Sequence, residues 1–303
     1  MFVLETIGLT KKYKEQYAVK GVNMHIHEGD IYGFVGENGA GKTTIIRLIT
    51  GLAAPTEGEY TLFGVKNKEK EIYKAREKVA GIVETVSINR SMNALNNLKL
   101  QCYLTGAKKT DKELIELLKS VGLNPNALKK KKAGHYSLGM RQRLGLAIAM
   151  VSGPKFIILD EPMNGLDPKG FIAIREAVVN LNKLGVTFLI SSHILAELDK
   201  ICTRIGFISH GTLLEEISIE DLRDKERKKV FVECDNIDEV TDKLKEKFSL
   251  VDYKIEGTKL YIYDEIDIND LIAYVVKNKI HVTNIGGLQD TIEDYYMSLM
   301  RGR

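Results

Sequence analysis

The chain has 303 residues, 44% apolar and 28% charged, enough for one large or two ordinary domains with real cores. Lys and Arg number 44 against 41 Asp and Glu, so no global field recruits nucleic acid and none is expected as a partner. Cys102, Cys202 and Cys234 form neither a ligand pair nor a disulfide framework and suit a reducing cytosol, while no signal peptide is read at the start and the longest near-apolar stretch, 144–153, is half a membrane span.

Residues 2–7 and 22–27 read as strands, the second alternating as Val22-Asn-Met-His-Ile-His. His25 and His27 share a strand face there without a third ligand and read as structural. Asp30-Ile-Tyr-Gly-Phe-Val is a short buried strand, and Thr44-Ile-Ile-Arg-Leu-Ile-Thr starts a helix that stops near Gly51. Between them lies Gly36-Glu-Asn38-Gly39-Ala40-Gly41-Lys42-Thr43-Thr44, a complete phosphate-binding loop in the right context. Its glycines let successive N–H groups turn inward, and the helix N-terminus adds partial positive charge to the same spot. Lys42 would bridge the outer phosphates of a nucleotide, and the Thr43 hydroxyl would ligate Mg²⁺. A turn and a further strand follow at 56–64, so a mixed sheet is expected near the N-terminus.

From about 90 to 153 the periodicity is helical, with an amphipathic segment from Asp111 that stops at Gly122. Lys129–Lys132 reads as a solvated turn. Tyr136-Ser137-Leu-Gly139-Met-Arg-Gln-Arg-Leu puts Ser and Gly before a helix beginning around Met140, a second anion site. One nucleotide does not need two helix N-termini from one chain, so a second subunit is implied. Phe156-Ile-Ile-Leu-Asp160-Glu161 is an apolar strand delivering two acids at its C-terminal end, where open α/β sheets place ligands. Asp160 would hold Mg²⁺ and Glu161 would act as general base on the attacking water. Strands at 187–191 and 204–209 and helices at 169–183 and 194–199 complete a parallel α/β core. A charged linker at 218–229 precedes β (230–234), α (237–247), β (250–256), β (259–263), α (268–277) and β (280–285), then a final helix at 289–300; this is the ferredoxin-like βαββαβ order.

In these motifs, in this order, the chain resembles the ATP-binding cassette (ABC) family of transporter ATPases over residues 1 to about 217. The resemblance implies a P-loop nucleotide-binding domain at 1–217: a mixed sheet core, a helical subdomain at about 85–153 and an N-terminal antiparallel β subdomain. An accessory ferredoxin-like domain at 230–303 would follow. It further implies that Tyr13 stacks on adenine and that Ser137–Met140 is the family signature, with Leu138 where Gly is usual. Asn164-Gly-Leu-Asp167 would be the loop after the acids, and His193 the switch histidine. ATP and Mg²⁺ are the implied ligands. A head-to-tail dimer of two such chains would face each phosphate loop with the partner's signature, working on a separate membrane permease from the cytoplasmic side.

One position departs from the family. The usual Gln on the loop joining the core to the helical subdomain is Glu84 here, which can ligate Mg²⁺ but cannot donate a hydrogen bond. With Ser91-Met-Asn-Ala-Leu-Asn-Asn-Leu and Ser-Leu-Gly-Met-Arg-Gln-Arg-Leu, this resembles the bacitracin-resistance and lantibiotic-immunity exporters, so a peptide antibiotic or bacteriocin is the expected substrate. Glu84 is expected to tune coupling to the permease more than ATP affinity. Three other readings stand beside this one: an exporter of an unrelated lipid-like or small-molecule substrate, a soluble cassette ATPase acting on nucleic acid or the ribosome, and a nucleotide-dependent regulatory module. The absence of a sustained heptad run and of a second cassette weighs against the soluble class.

Overall fold

A computed structural model describes every residue except Glu84, Glu226, Arg227, Asp290, Gly302 and Arg303. The chain starts with a long hairpin, β1 (Phe2–Tyr13) and β2 (Gln16–His27). Then come β3 (Ile31–Val35), α1 (Lys42–Ile49), β4 (Glu57–Leu62), β5 (Val65–Lys66), α2 (Ile72–Arg76) and β6 (Val79–Ile82). The helical stretch holds α3 (Ala94–Thr105), α4 (Asp111–Ser120), α5 (Pro125–Leu128) and α6 (Leu138–Ala149). After it the chain returns through β7 (Phe156–Asp160), α7 (Pro168–Lys183), β8 (Thr187–Ser192), α8 (Leu195–Leu198), β9 (Arg204–Ser209) and β10 (Thr212–Ser218).

Strands β3, β7 and β8 are buried at every residue. Runs with no exposed residue, nearly all apolar in β3 and β7 and polar only at the ends of β8, have no face to offer water, so they occupy the middle of a sheet covered on both sides. The core sheet runs β10-β9-β3-β8-β7-β6, parallel from β9 to β6 and antiparallel only where β10 meets β9. Asp160 pairs with Ser191, and Val35 with Ser192, so the C-terminal ends of β3, β8 and β7 are level. The first hairpin is not part of this sheet. It joins β4 and β5 in a separate antiparallel sheet, ordered β2-β1-β4-β5. Between the two sheets lies one apolar core that includes Leu4, Met24, Ile26, Phe34, Ile45, Phe156 and Ile158. Each fully buried Phe in it contributes roughly 1.5–3 kcal/mol.

In the helical stretch the ends are set by capping. Thr110 and Glu113 form a reciprocal capping box at the start of α4. Ser137 caps α6, which therefore begins two residues earlier than the Met140 start read from sequence.

The chain divides into two compact units, Met1–Ile219 and Glu220–Arg303. A short helix, α9 (Ile219–Lys225), lies within the stretch read as a charged linker. The second unit continues β11 (Lys228–Glu233), α10 (Ile237–Phe248), β12 (Tyr253–Glu256), β13 (Lys259–Ile262), α11 (Ile268–Lys277), β14 (Asn284–Gln289) and α12 (Ile292–Arg301). Its sheet order, β12-β13-β11-β14, all antiparallel, is that of a ferredoxin-like split βαβ fold. Val232, Leu244, Leu260, Ile262 and Leu271 form its fully buried centre.

Two cysteines are sealed in these cores. Burial, with Asp199 adding to it, pushes the Cys202 thiol far above its ordinary pKa, and burial raises that of Cys234. Cys102 is only half-buried. A thiol reagent at neutral pH is expected to modify Cys102 alone in the folded chain and all three after denaturation. Rapid modification of Cys202 in the folded protein would contradict this packing.

Candidate nucleotide site

The turn from β3 into α1 is built on glycines that cannot be replaced for different reasons. A Cβ on Gly36 would lie 2.4 Å from the Ile208 carbonyl oxygen. Gly41 has φ 106° and a Cβ there would meet the Ala18 carbonyl at 2.6 Å, while Gly39 has φ 84°. Gly41 also precedes the first residue of α1. Its carbonyl takes the Ile45 N–H at 3.0 Å, so the N–H groups of Lys42, Thr43 and Thr44 form the open first turn. A cavity of about 190 Å³ opens there, lined by residues 37–39 and 41–44 of the loop with Ala18 and Glu161. Ala40 is buried beneath it.

Lys42 is 5% exposed and its ammonium donates to the Gly36 carbonyl at 2.5 Å and the Glu37 carbonyl at 3.1 Å. Oε1 of Glu161 lies 3.2 Å away. That contact is an ion pair without hydrogen-bond alignment, and the oxygen is buried with no donor pointed at it. The other carboxylate oxygen, Oε2, is 2.9 Å from Nδ1 of His193. A proton on Nδ1 satisfies both groups, which fixes the tautomer by inference from the carboxylate.

Glu161 itself sits at φ 48°, a left-handed backbone for a residue with a Cβ. Its N–H donates to the Ser191 carbonyl at 3.2 Å and to the Ser191 hydroxyl at 2.9 Å. Asp160, 7% exposed, accepts the Thr43 hydroxyl on Oδ2 at 2.9 Å and the Ser191 hydroxyl on Oδ1 at 2.6 Å. The level strand ends thus bring together the phosphate loop, Asp160, Glu161 and His193.

Tyr13, Ser137, Gly139 and Asp167, also singled out from sequence, do not line this cavity. Tyr13 is 47% exposed, with the Lys11 ammonium 5.0 Å from its ring centre. Ser137 caps α6 by accepting the Met140 N–H at 3.3 Å. A Cβ on Gly139 would be 3.5 Å from Gly170, and the Leu138 side chain reaches within 3.3 Å of a Cβ on Gly165, so the signature packs on the first turn of α7 and the loop before it. Asp167 caps α7 through the Gly170 N–H at 2.8 Å. Glu84 lies outside the described residues. Among the described residues no cluster of three or more His, Cys, Asp or Glu could hold a metal. His25 is engaged with Glu216, Nδ1 at 3.5 Å, and with Phe2. Sequence reasoning missed Ser191, which touches both acids. A second, larger cavity of about 750 Å³ lies elsewhere, with Val79–Val83 around β6, Leu100 and Leu104 of α3 and Gly145 and Ile148 of α6 among its lining.

The family model for ABC transporters matches residues 19–164. The chain is 37% identical to the bacitracin transport ATP-binding protein BcrA of Enterococcus faecalis, over 99% of this chain and 97% of that protein. It is 36% identical to the lantibiotic transport ATP-binding protein SrtF of Streptococcus pyogenes, over 71% of this chain and 90% of that one. Among solved structures, an ATP-binding cassette described as a post-hydrolysis dimer bound to ADP and Pi superposes with a TM-score of 0.63 at 27% identity, over 71% of this chain and 98% of that chain.

Proposed function

The chain belongs to the ABC transporter ATPase family, and on that premise we propose that it is the ATP-hydrolysing subunit of an exporter for a peptide antibiotic. One observation carries the substrate class: the likeness to BcrA extends over 99% of the chain and so takes in the C-terminal unit as well as the cassette.

The site residues support the chemistry as follows. The N–H groups at the start of α1 and the Lys42 ammonium would bind the β- and γ-phosphates of ATP. Thr43 Oγ1 and Asp160 Oδ2, 2.9 Å apart, are hard oxygen donors of the kind Mg²⁺ takes one or two of, and they would hold that ion. When bound, Mg²⁺ would neutralise charge on the outer phosphates. Glu161 would accept the proton of the attacking water. Its donor-free oxygen, Oε1, suits that role, and His193 holds the other oxygen so that the carboxylate cannot swing away. Water attacks the γ-phosphorus, the bond to the β–γ bridging oxygen breaks, and ADP and phosphate leave.

Ser137, Gly139 and Asp167 are drawn away from their own chain's cavity, which fits a second copy docked head to tail with its signature over this phosphate loop. Tyr13 would stack on the adenine, and Glu84 would ligate the metal and tune coupling. No helix among the described residues is long and apolar enough to cross a membrane. Export therefore calls for a separate membrane-spanning subunit, and the 750 Å³ groove beside β6, where Leu100, Leu104 and Ile148 alternate with Asn89, Asn97 and Gln101, has the size and mixed lining to receive part of it.

The test is isolation of the tagged chain from detergent-solubilised membranes with ATP present, alongside deletion of its gene. Co-isolation of a polytopic membrane protein and a several-fold drop in the inhibitory concentration of a peptide antibiotic are expected. Recovery only as a free dimer or with nucleic acid, at unchanged sensitivity, would replace the exporter with a soluble ATPase.

A further inference from the structure

We propose that Ser191 is a positioning residue for the hydrolysis step, holding both acids at the end of β7 from the neighbouring strand; this rests on the roles given above to Asp160 and Glu161. Ser191 is fully buried, and its hydroxyl has one hydrogen to give. Two acceptors are within reach: Asp160 Oδ1 at 2.6 Å and the Leu159 carbonyl at 3.5 Å. Distance and charge both favour the carboxylate, and such charge-assisted bonds are roughly twice as strong as neutral ones. The same oxygen accepts the Glu161 N–H at 2.9 Å.

Two consequences follow for the site. With Oδ1 of Asp160 committed to Ser191, the carboxylate cannot rotate, and Oδ2 is the oxygen presented to Thr43 and to a metal there. With its N–H anchored at both the carbonyl and the hydroxyl of Ser191, Glu161 is kept in its left-handed conformation. That conformation aims its side chain back at Lys42 and His193. One hydroxyl thus sets the direction of both acids. The neighbouring Ser192 offers a contrast: it is just as buried, yet its hydroxyl accepts only the Ile194 N–H, at 2.9 Å.

The experiment compares Ser191→Ala, Ser191→Cys and Ser192→Ala with the parent chain and with Glu161→Gln. Three quantities are read: ATP turnover, thermal unfolding, and Mn²⁺ binding by electron paramagnetic resonance with a non-hydrolysable ATP analogue. Ser191→Ala is expected to lose about tenfold or more in kcat and several-fold in Mn²⁺ affinity, with nucleotide binding in the absence of metal unchanged. Ser191→Cys, close in shape and a weak donor, should fall between, and it carries the test if the alanine variant does not fold. Ser192→Ala should keep the parent Mn²⁺ affinity. Parent-like turnover and Mn²⁺ affinity in Ser191→Ala, with Glu161→Gln inactive, would overturn the proposal and leave the ATPase reading standing. Normal turnover in Glu161→Gln would instead remove the general base, and the hold of Ser191 on Asp160 would then be decided by Mn²⁺ affinity alone.

Discussion

Glu161→Gln is expected to lower ATP hydrolysis by at least about two orders of magnitude while leaving ATP bound. The amide keeps the shape of the carboxylate, so the left-handed turn and its two bonds to Ser191 have no reason to change. What goes is the basic oxygen, Oε1, the one oxygen of the pair to which no hydrogen-bond donor is pointed. Binding survives because Lys42 keeps the Gly36 and Glu37 carbonyls as partners, and the site gains one unit of positive charge facing the phosphates. ATP-loaded dimers should therefore accumulate, visible as a shift to twice the mass on gel filtration with ATP and Mg²⁺. Rapid-quench turnover at the parent rate would show that the proton goes to another group.

Lys42→Ala is expected to have the opposite signature, a loss of binding before any loss of chemistry. Among the described residues the ammonium is the single full positive charge on the cavity wall, and it sits against a carboxylate that is itself only 20% exposed. Removing it takes away charge-assisted bonds worth about 1.5–3 kcal/mol to a phosphate. It also leaves Glu161 facing that phosphate with like charge. ATP affinity should fall by about 10- to 100-fold or more, measured by displacement of a fluorescent nucleotide. Retained affinity with turnover alone reduced would mean that the backbone N–H groups carry the binding and the lysine acts only in the transition state.

The elements that make this site were legible because each is a strong local signal. β3 and β7 are unbroken apolar runs with conspicuous ends, a glycine-rich turn from Gly36 after one and the acid Asp160 closing the other. Weaker elements were hidden by their surroundings. β6, at the sheet edge, is Val-Ala-Gly-Ile and only half-buried, so it lacks both a long apolar run and an alternation. β10 loses its period at a bulge between Leu213 and Glu215. β1 runs on past residue 7 through Gly8 and several register shifts, each of which breaks the two-residue repeat. In the second unit the last strand is 284–289, later than the 280–285 segment suggested by Ile280 and Val282. It contains Gly286 and Gly287, poor strand formers by composition. Yet Gly286 leaves room for the Phe231 ring, which would stand 2.6 Å from any Cβ placed there. Ser191 was invisible for a different reason. Two serines ending a strand carry no motif, and their meaning depends on which strand lies alongside and in what register.

That register limits how the chain can vary in length. Because Asp160 stands opposite Ser191 and Val35 opposite Ser192, the loops at the far ends of these strands can gain or lose residues without moving the chemistry. A single codon inserted or deleted within β7 or β8 is another matter. It would turn every following side chain to the other face and separate the acids from the serine and histidine that hold them. Within these short strands, drift by substitution is tolerable at many positions, whereas drift by length is closed off.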